Sequence, residues 1–357
     1  MDPPKVRRRH FVAGGVALVG GAALASCLPG VQGKWLPDGG LSCSWTEPSV
    51  TMGYPAQAGR VVEVHDTNLT QGSTLNAAVV AEDLKKVLLA LTGAVDLKAA
   101  WAVVLKDLKP GQVVGIKVNT LNAKVPTHVE LVQALVQSLK VDGGVDTQQL
   151  LVWDRRLDEL TKAGITAAAV GCAVEGTVDS TSARGNGRGY EESATCLGSD
   201  NAKLTTIQTR GVDHLINLSV MKNHKASGFT GCLKNHYGTI DNPGDFHNRM
   251  SGDTVVEDRF EKAIPTINAL PEVAGKTRLW LMDAIVGVCK GDTDAYADCI
   301  PNRLLAGLDP VALDIRGREI RNTEAGGATV ETTSDSWLAA AERVGLGKSK
   351  LVLESVA

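Results

Sequence analysis

The chain has 357 residues, 43% hydrophobic and 22% charged, with a formal net charge of −3, a balance that excludes fibrous and disordered classes. Aromatic residues make up only 4%, so its core is built from aliphatic side chains. The acidic balance argues against nucleic acid as the main partner.

The N-terminus reads as an export signal rather than as part of the fold. A basic start is followed by an apolar run from Phe11 to Ala25, too short and Gly-rich for a committed membrane span. Arg8-Arg9-His10-Phe11 follows the twin-arginine pattern R-R-x-F, which names the twin-arginine export machinery as a partner and implies export of an already folded protein. Leu24 to Cys27 fits a lipobox, in which Cys27 is lipidated and anchors the chain to a membrane; cleavage after Ala25 is the alternative. Residues 1–26 are therefore expected to be a signal peptide. Their removal takes four basic side chains and one acid, leaving 33 basic against 39 acidic residues, a net charge of −6. Residues 27–58, rich in Pro, Gly and Ser, read as a flexible tether, and 59–357 as one α/β domain that could divide into two lobes.

From there strands and helices alternate. "RVVEVHD" is a strand pattern, "AAVVAEDLKKVLLALTG" a helix and "QVVGIKVNT" a buried strand. Thr127 to Glu130 reads as a capping box opening the helix "HVELVQALVQSL". The strand "QQLLVWD" precedes a helix "LDELTKAG", and a Gly/Ser/Arg-rich loop then interrupts the alternation before the strand "HLINLSVMK". "DRFEKAIPTINALPEV" begins as a helix punctuated by Pro265 and Pro271, followed by strands "TRLWLMDAIVGV" and "RLLAGLD". Asp309 and Pro310 are an N-cap and first position for the helix "PVALDIRGREI", and "SWLAAAERVGL" and "KLVLESV" end the chain as helix and strand. The pattern predicts a mostly parallel sheet with helices on both faces. Six cysteines follow Cys27, and Cys289 and Cys299, bracketing a short polar loop, are the best candidate pair. The chain has no C-x-x-C, hence no iron–sulfur cluster or zinc-ribbon motif.

Parallel α/β sheets bind ligands beyond the C-terminal ends of their strands. Polar tips are expected there from Lys117 and Asn119, Asp154 to Arg156, Lys222 to Lys225, Asp283 and Asp309. The segment "HKASGFTGCLKNHYG" stands out, because no Asp or Glu occurs from His214 through Ile240. Gly228 and Gly231 lie before an apparent helix start, where backbone N–H groups and lysines suit a phosphate or carboxylate. Lys117, Asn119, Lys222, Gly228, Gly231 and Lys234 are the candidate anion or cofactor contacts. His224, His236 and His247 fall within 24 residues and are candidate metal ligands, with His224, Lys234 and His236 as catalytic candidates. Solvated surface histidines and a plain strand-to-helix turn explain the same residues without a site.

"GIKVNT", "HLINLSVMKNHKASGFTGCLKNHYG", Phe246-His247, "DRFEKAIPTINAL", "MDAIVG" and "LLAGLDPVALD" together resemble the bacterial and archaeal family called domain of unknown function 362. The likeness runs from about residue 60 to about residue 320 and departs after "DAIVG", where "VCKGDTDAYADCIPN" replaces an expected Gly- and Pro-rich turn. More distantly, His224, Lys234 and His247 are similar in order to residues of the nickel-pincer lactate racemase family. That resemblance implies Lys234 as anchor of a nucleotide-type cofactor, His247 as metal ligand and His224 as acid or base. The racemase's other catalytic histidine has no counterpart, since Asp154-Arg155-Arg156 stands in its place.

The expectation is an exported, membrane-tethered protein whose crevice binds a small anionic ligand or a cofactor, with room for a transition metal. If it is an enzyme, a metal- or cofactor-dependent oxidoreductase or isomerase is implied. A non-catalytic extracytoplasmic binding or scaffolding lipoprotein, and a redox enzyme served by a separate electron carrier, are the alternatives.

Overall fold

The structure is a computed structural model, and it describes residues 34–35, 41–51, 53–72, 74–121, 123–179, 188–251, 254–326 and 333–357. The expected signal peptide and Cys27 lie outside the described residues. Eight strands form the central sheet: β1 (Arg60–His65), β2 (Val114–Lys117), β3 (Leu150–Arg156), β4 (Ala173–Val178), β5 (His214–Lys222), β6 (Thr277–Val288), β7 (Arg303–Gly307) and β8 (Val352–Val356). Their spatial order is β8-β1-β7-β6-β5-β2-β3-β4. All neighbours pair parallel except at β7, which runs against both β1 and β6. The fold is α/β, and its sheet is mixed.

Two cores explain why the strands lack polar faces. Leu279 and Leu281 of β6 enter one core, while Trp280 and Met282 enter the other. The same alternation sorts Val62 and Val64 from Val61 on β1. Period-2 geometry thus divides most apolar residues of the inner strands between two helical layers. Helices α1 (Ala77–Thr92), α2 (Leu97–Val104) and α3 (Val129–Val141) cover one face. α4 (Leu157–Lys162) follows β3 and packs against β3 and β4. The other face holds α5 (Cys232–Asn235), α6 (Phe260–Ala269), α7 (Pro310–Glu324) and α8 (Thr333–Arg343).

Several expectations are corrected. His128, not Thr127, is the N-cap of α3: Thr127 Oγ1 accepts from the Asn119 N–H at 2.9 Å, and the His128 N–H donates to Asp283 Oδ2 at 3.0 Å. Pro265 does not stop α6, which runs through it. The tether does not reach residue 58, because the stretch from Cys43 is docked on the body. Cys43 is disulfide-bonded to Cys196, Trp45 Nε1 donates to Thr266 Oγ1 at 3.0 Å, and the Val50 N–H donates to the Val344 carbonyl at 2.8 Å. Cys289 and Cys299 form a second disulfide.

The expected anion seat before α5 is already filled. Asp314, from the middle of α7, accepts from the backbone N–H groups of Cys232 at 2.5 Å and Leu233 at 3.0 Å. A Cβ on Gly231 would lie 2.3 Å from Asp314 Oδ1, so glycine is what lets the two elements approach. Gly228 supplies a left-handed turn at φ 74°. The two glycines therefore shape a turn that the protein caps with its own carboxylate. Burial pushes the Asp314 carboxyl up to about 7, against the pull of the two N–H donors. Asp314→Ala strands both donors in the core and is expected to cost about 3 kcal/mol, measured by urea denaturation. A loss below about 0.5 kcal/mol, the level of an ordinary surface change, would contradict this role.

Candidate functional site

Strand register places the site. Lys117, the last residue of β2, pairs with Asn217 of β5 on one side and with Trp153 of β3 on the other. A cavity of about 190 Å³ opens there, lined by Lys117, Asn119, Asp154, Arg155, Arg156, His224, Lys234 and His247 among others. A larger groove of about 630 Å³ lies at the opposite end of the sheet, lined by Tyr54, Lys106, Arg278 and Trp280. Size does not make the groove the site: the Arg278 guanidinium is engaged by His214 and by the Gly275 and Thr277 carbonyls. Asp309 also sits away from the cavity, because β7 is reversed. It caps α7 and accepts from the backbone N–H groups of Gly59 and Lys348.

Three buried lysines stand near this end, and they differ in what surrounds them. Lys117 Nζ donates to Asp154 Oδ1 at 2.7 Å, to the Val118 carbonyl at 2.7 Å and to Asn235 Oδ1 at 3.3 Å. Asp154 Oδ2 in turn accepts from Thr120 N and Oγ1. A Cβ on Gly238 would lie 2.9 Å from Lys117 Nζ, so glycine leaves the lysine undisturbed there. Lys222 Nζ donates to Asn119 Oδ1 at 2.9 Å; burial pulls it down to about 7, although Asp154 and Asp283 favour its charge. Asn119 and Asn217 both bond Asn235, so an amide chain lays the 231–238 segment across the strand ends.

Lys234 is the exception. Among the described residues its Nζ has no hydrogen bond and no ion pair, and the residue is only 7% exposed. The Tyr237 and Phe260 rings lie 4.5 and 5.4 Å from it. Burial lowers its pKa to about 7, with Asp292 pulling the other way. Two aromatic faces favour the ammonium by about 0.5–2 kcal/mol, which recovers part of that loss, so the direction stands while the amine titrates near neutrality or somewhat above.

The structure brings His224 and His247 together and leaves His236 out. The first two rings stack with centroids 5.4 Å apart at the cavity. Burial, and then Lys234, hold His224 down to about 2 and His247 to about 4, so both are neutral at physiological pH. His236 is fully buried, accepts from Asn217 Nδ2 at 2.9 Å and meets Trp280 edge-on. The expected three-histidine metal set is thus not assembled. Among the described residues the one trio of ligand atoms within 4.8 Å is Cys289, Asp298 and Cys299, whose sulfurs are already joined in a disulfide. Nor does 190 Å³ fit a nucleotide-type cofactor, being below the roughly 300 Å³ where pockets for drug-sized ligands begin.

The sequence placed Arg155 among the strand-end tips but not among the anion contacts, and it gave His128 no role at the site. Arg155 lines the cavity without a carboxylate partner among the described residues, donating to the Asp241 carbonyl at 2.7 Å and Tyr190 Oη at 3.3 Å. Arg156, by contrast, is paired with Glu159 at 2.8 Å. His128 Nδ1 lies 2.8 Å from Asp283 Oδ2. Burial opposes a charge on His128, but the Asp283 carboxylate outweighs it and raises the imidazole above its ordinary value. Asp283 therefore orients His128 and none of the three expected histidines. Only the chemistry of His and Asp side chains hinted at this, since 155 residues separate the pair.

Residues 114–317 match the family described as Domain of unknown function (DUF362), and the chain belongs to it. A solved structure of a protein from Thermotoga maritima shares 13% identity with it, covering 65% of this chain and 58% of that one, with a TM-score of 0.33. No curated protein matches the chain.

Removing one partner of a buried ion pair costs about 3–5 kcal/mol. Asp154→Ala is expected to lose that much in chemical denaturation, and Lys117→Met combined with it should recover most of the loss. Equal losses in the single and double variants would mean that Lys117 is not held by this pair.

Proposed function

We propose that the cavity binds a small anion between Arg155 and Lys234, in an exported protein. The observation that carries this reading is Lys234, a buried amine with no hydrogen bond or ion pair among the described residues, which lines a cavity at the strand ends. An unpaired buried cation costs several kcal/mol, and a bound carboxylate or phosphate would remove that cost. Arg155 supplies a second cation whose charge does not depend on pH. Export is supported by the sequence of residues 1–27 and by two disulfides, which persist in oxidising compartments. Membrane attachment through Cys27 is part of the same proposal.

Among the described residues His224 and His247 have no third ligating side chain in reach. The isomerase and oxidoreductase readings, and a partner electron carrier, find no specific support in the site. The binding-protein reading and an enzyme reading share the same cavity, and they separate on whether a bound molecule is transformed.

Oxalate, compact and doubly charged, is a suitable probe for calorimetry. Lys234 loses its charge as pH rises through about 7, so affinity should fall by several-fold between pH 6 and pH 9. Lys234→Met should weaken binding at pH 6 by about tenfold, the equivalent of about 1.4 kcal/mol, and flatten the pH dependence. Binding that is unchanged by both Lys234→Met and Arg155→Gln would place the anion elsewhere.

A further inference from the structure

A buried lysine can act as a point charge or as a nucleophile, and the groups around Lys234 provide for the second role. An amine attacks carbon only when unprotonated, and a dry aromatic surround without a carboxylate partner favours that form. Tyr237 and Phe260 supply the aromatic surround.

The two histidines are held in opposite tautomers. His224 Nδ1 accepts from the backbone N–H groups of Ala226 at 3.2 Å and Ser227 at 3.1 Å, so its proton sits on Nε2. His247 Nδ1 lies 3.0 Å from the Pro243 carbonyl, to which it must donate, so its Nε2 keeps a lone pair. The cavity that holds Lys234 therefore contains one imidazole N–H donor and one imidazole acceptor, side by side. Addition of an amine to a carbonyl needs both: a donor for the oxygen that gains charge and an acceptor for the proton that nitrogen sheds.

We infer that Lys234 forms an imine with a small 2-oxo acid, whose carboxylate is held by Arg155. The inference rests on the anion-site reading above and names its ligand class. The unprotonated Nζ adds to the carbonyl carbon, and the C=O pair moves to oxygen, stabilised by the His224 Nε2 proton. His247 Nε2 takes a proton from nitrogen and delivers it to that oxygen, giving the neutral carbinolamine, and then carries the second nitrogen proton to the hydroxyl. That oxygen leaves as water while the C=N bond forms. The step needs neither oxidant nor reductant. Volume sets the size of the acid: 190 Å³ corresponds to about six waters at roughly 30 Å³ each, which suits an acid of pyruvate's dimensions.

The test is reductive trapping. Folded protein is incubated with 13C-labelled pyruvate, treated with sodium borohydride, digested and mapped by mass spectrometry. The expected result is a reduced adduct on Lys234, absent from Lys117 and Lys222 and suppressed by excess oxalate. His247→Gln should slow its formation by about 10²-fold or more, as for loss of a general base. Mapping in the unaltered protein keeps the test decisive even if a Lys234 variant fails to fold. Pyruvate that binds by NMR but leaves no adduct on Lys234 overturns the imine and leaves the anion site standing. Failure of both pyruvate and oxalate to bind overturns both.

Discussion

Burying three ammonium groups at one end of a sheet is the constraint from which the local architecture follows. A charge taken out of water costs several kcal/mol unless it is paired and hydrogen-bonded. Lys117 is satisfied by Asp154, Asn235 and a carbonyl, and Lys222 by Asn119. Those demands recruit Asn119, Asn217 and Asn235 into one amide chain, which fixes the basic segment over the ends of β2 and β5. Lys234 comes down with that segment and finds aromatic faces instead of a counter-charge. The same folding that satisfies two lysines leaves the third poised.

Asp314 secures the arrangement from the far side. Its carboxylate occupies the N–H groups that open α5, so the glycine turn is closed to outside anions and locked to α7. Chemistry at this end of the sheet is thereby shifted from backbone donors to side chains: Lys234, Arg155 and the His224–His247 pair. Loop 289–299, closed by its disulfide, forms part of the rim. Asp292 accepts from the Lys225 N–H, Asn223 Nδ2 donates to the Gly291 carbonyl, and Thr293 lines the cavity.

Much of the fold was legible because periodicity and caps are local. The runs that became β5 and β6 read as strands from their apolar content, and Asp309-Pro310 marked the start of α7. Strand direction is not encoded in period 2, so the reversal of β7 was invisible, and with it the displacement of Asp309 from the site. Short elements escaped too, α2 and β4 among them. Strand-end logic anticipated that Lys117, Asn119 and Lys222 gather at one end of the sheet, and the glycine-lysine turn, not a strand tip, pointed to Lys234. Closeness in sequence misplaced His236, because one turn of helix points it into the core beside Trp280 while His224 faces the cavity. Asp314 and the His128–Asp283 pair are contacts across 82 and 155 residues, and a single sequence carries no mark of such pairing.

Lys234 is a buried amine with no ion pair among the described residues, ready to exchange its proton near neutral pH. The most direct measurement is an NMR titration of the lysine Cε and Nζ resonances in 13C- and 15N-labelled protein, with Lys234 assigned by substitution. A midpoint near 7, moving upward when oxalate is added, is the result this account predicts. A midpoint in the ordinary lysine range of about 10.4, indifferent to oxalate, would contradict it.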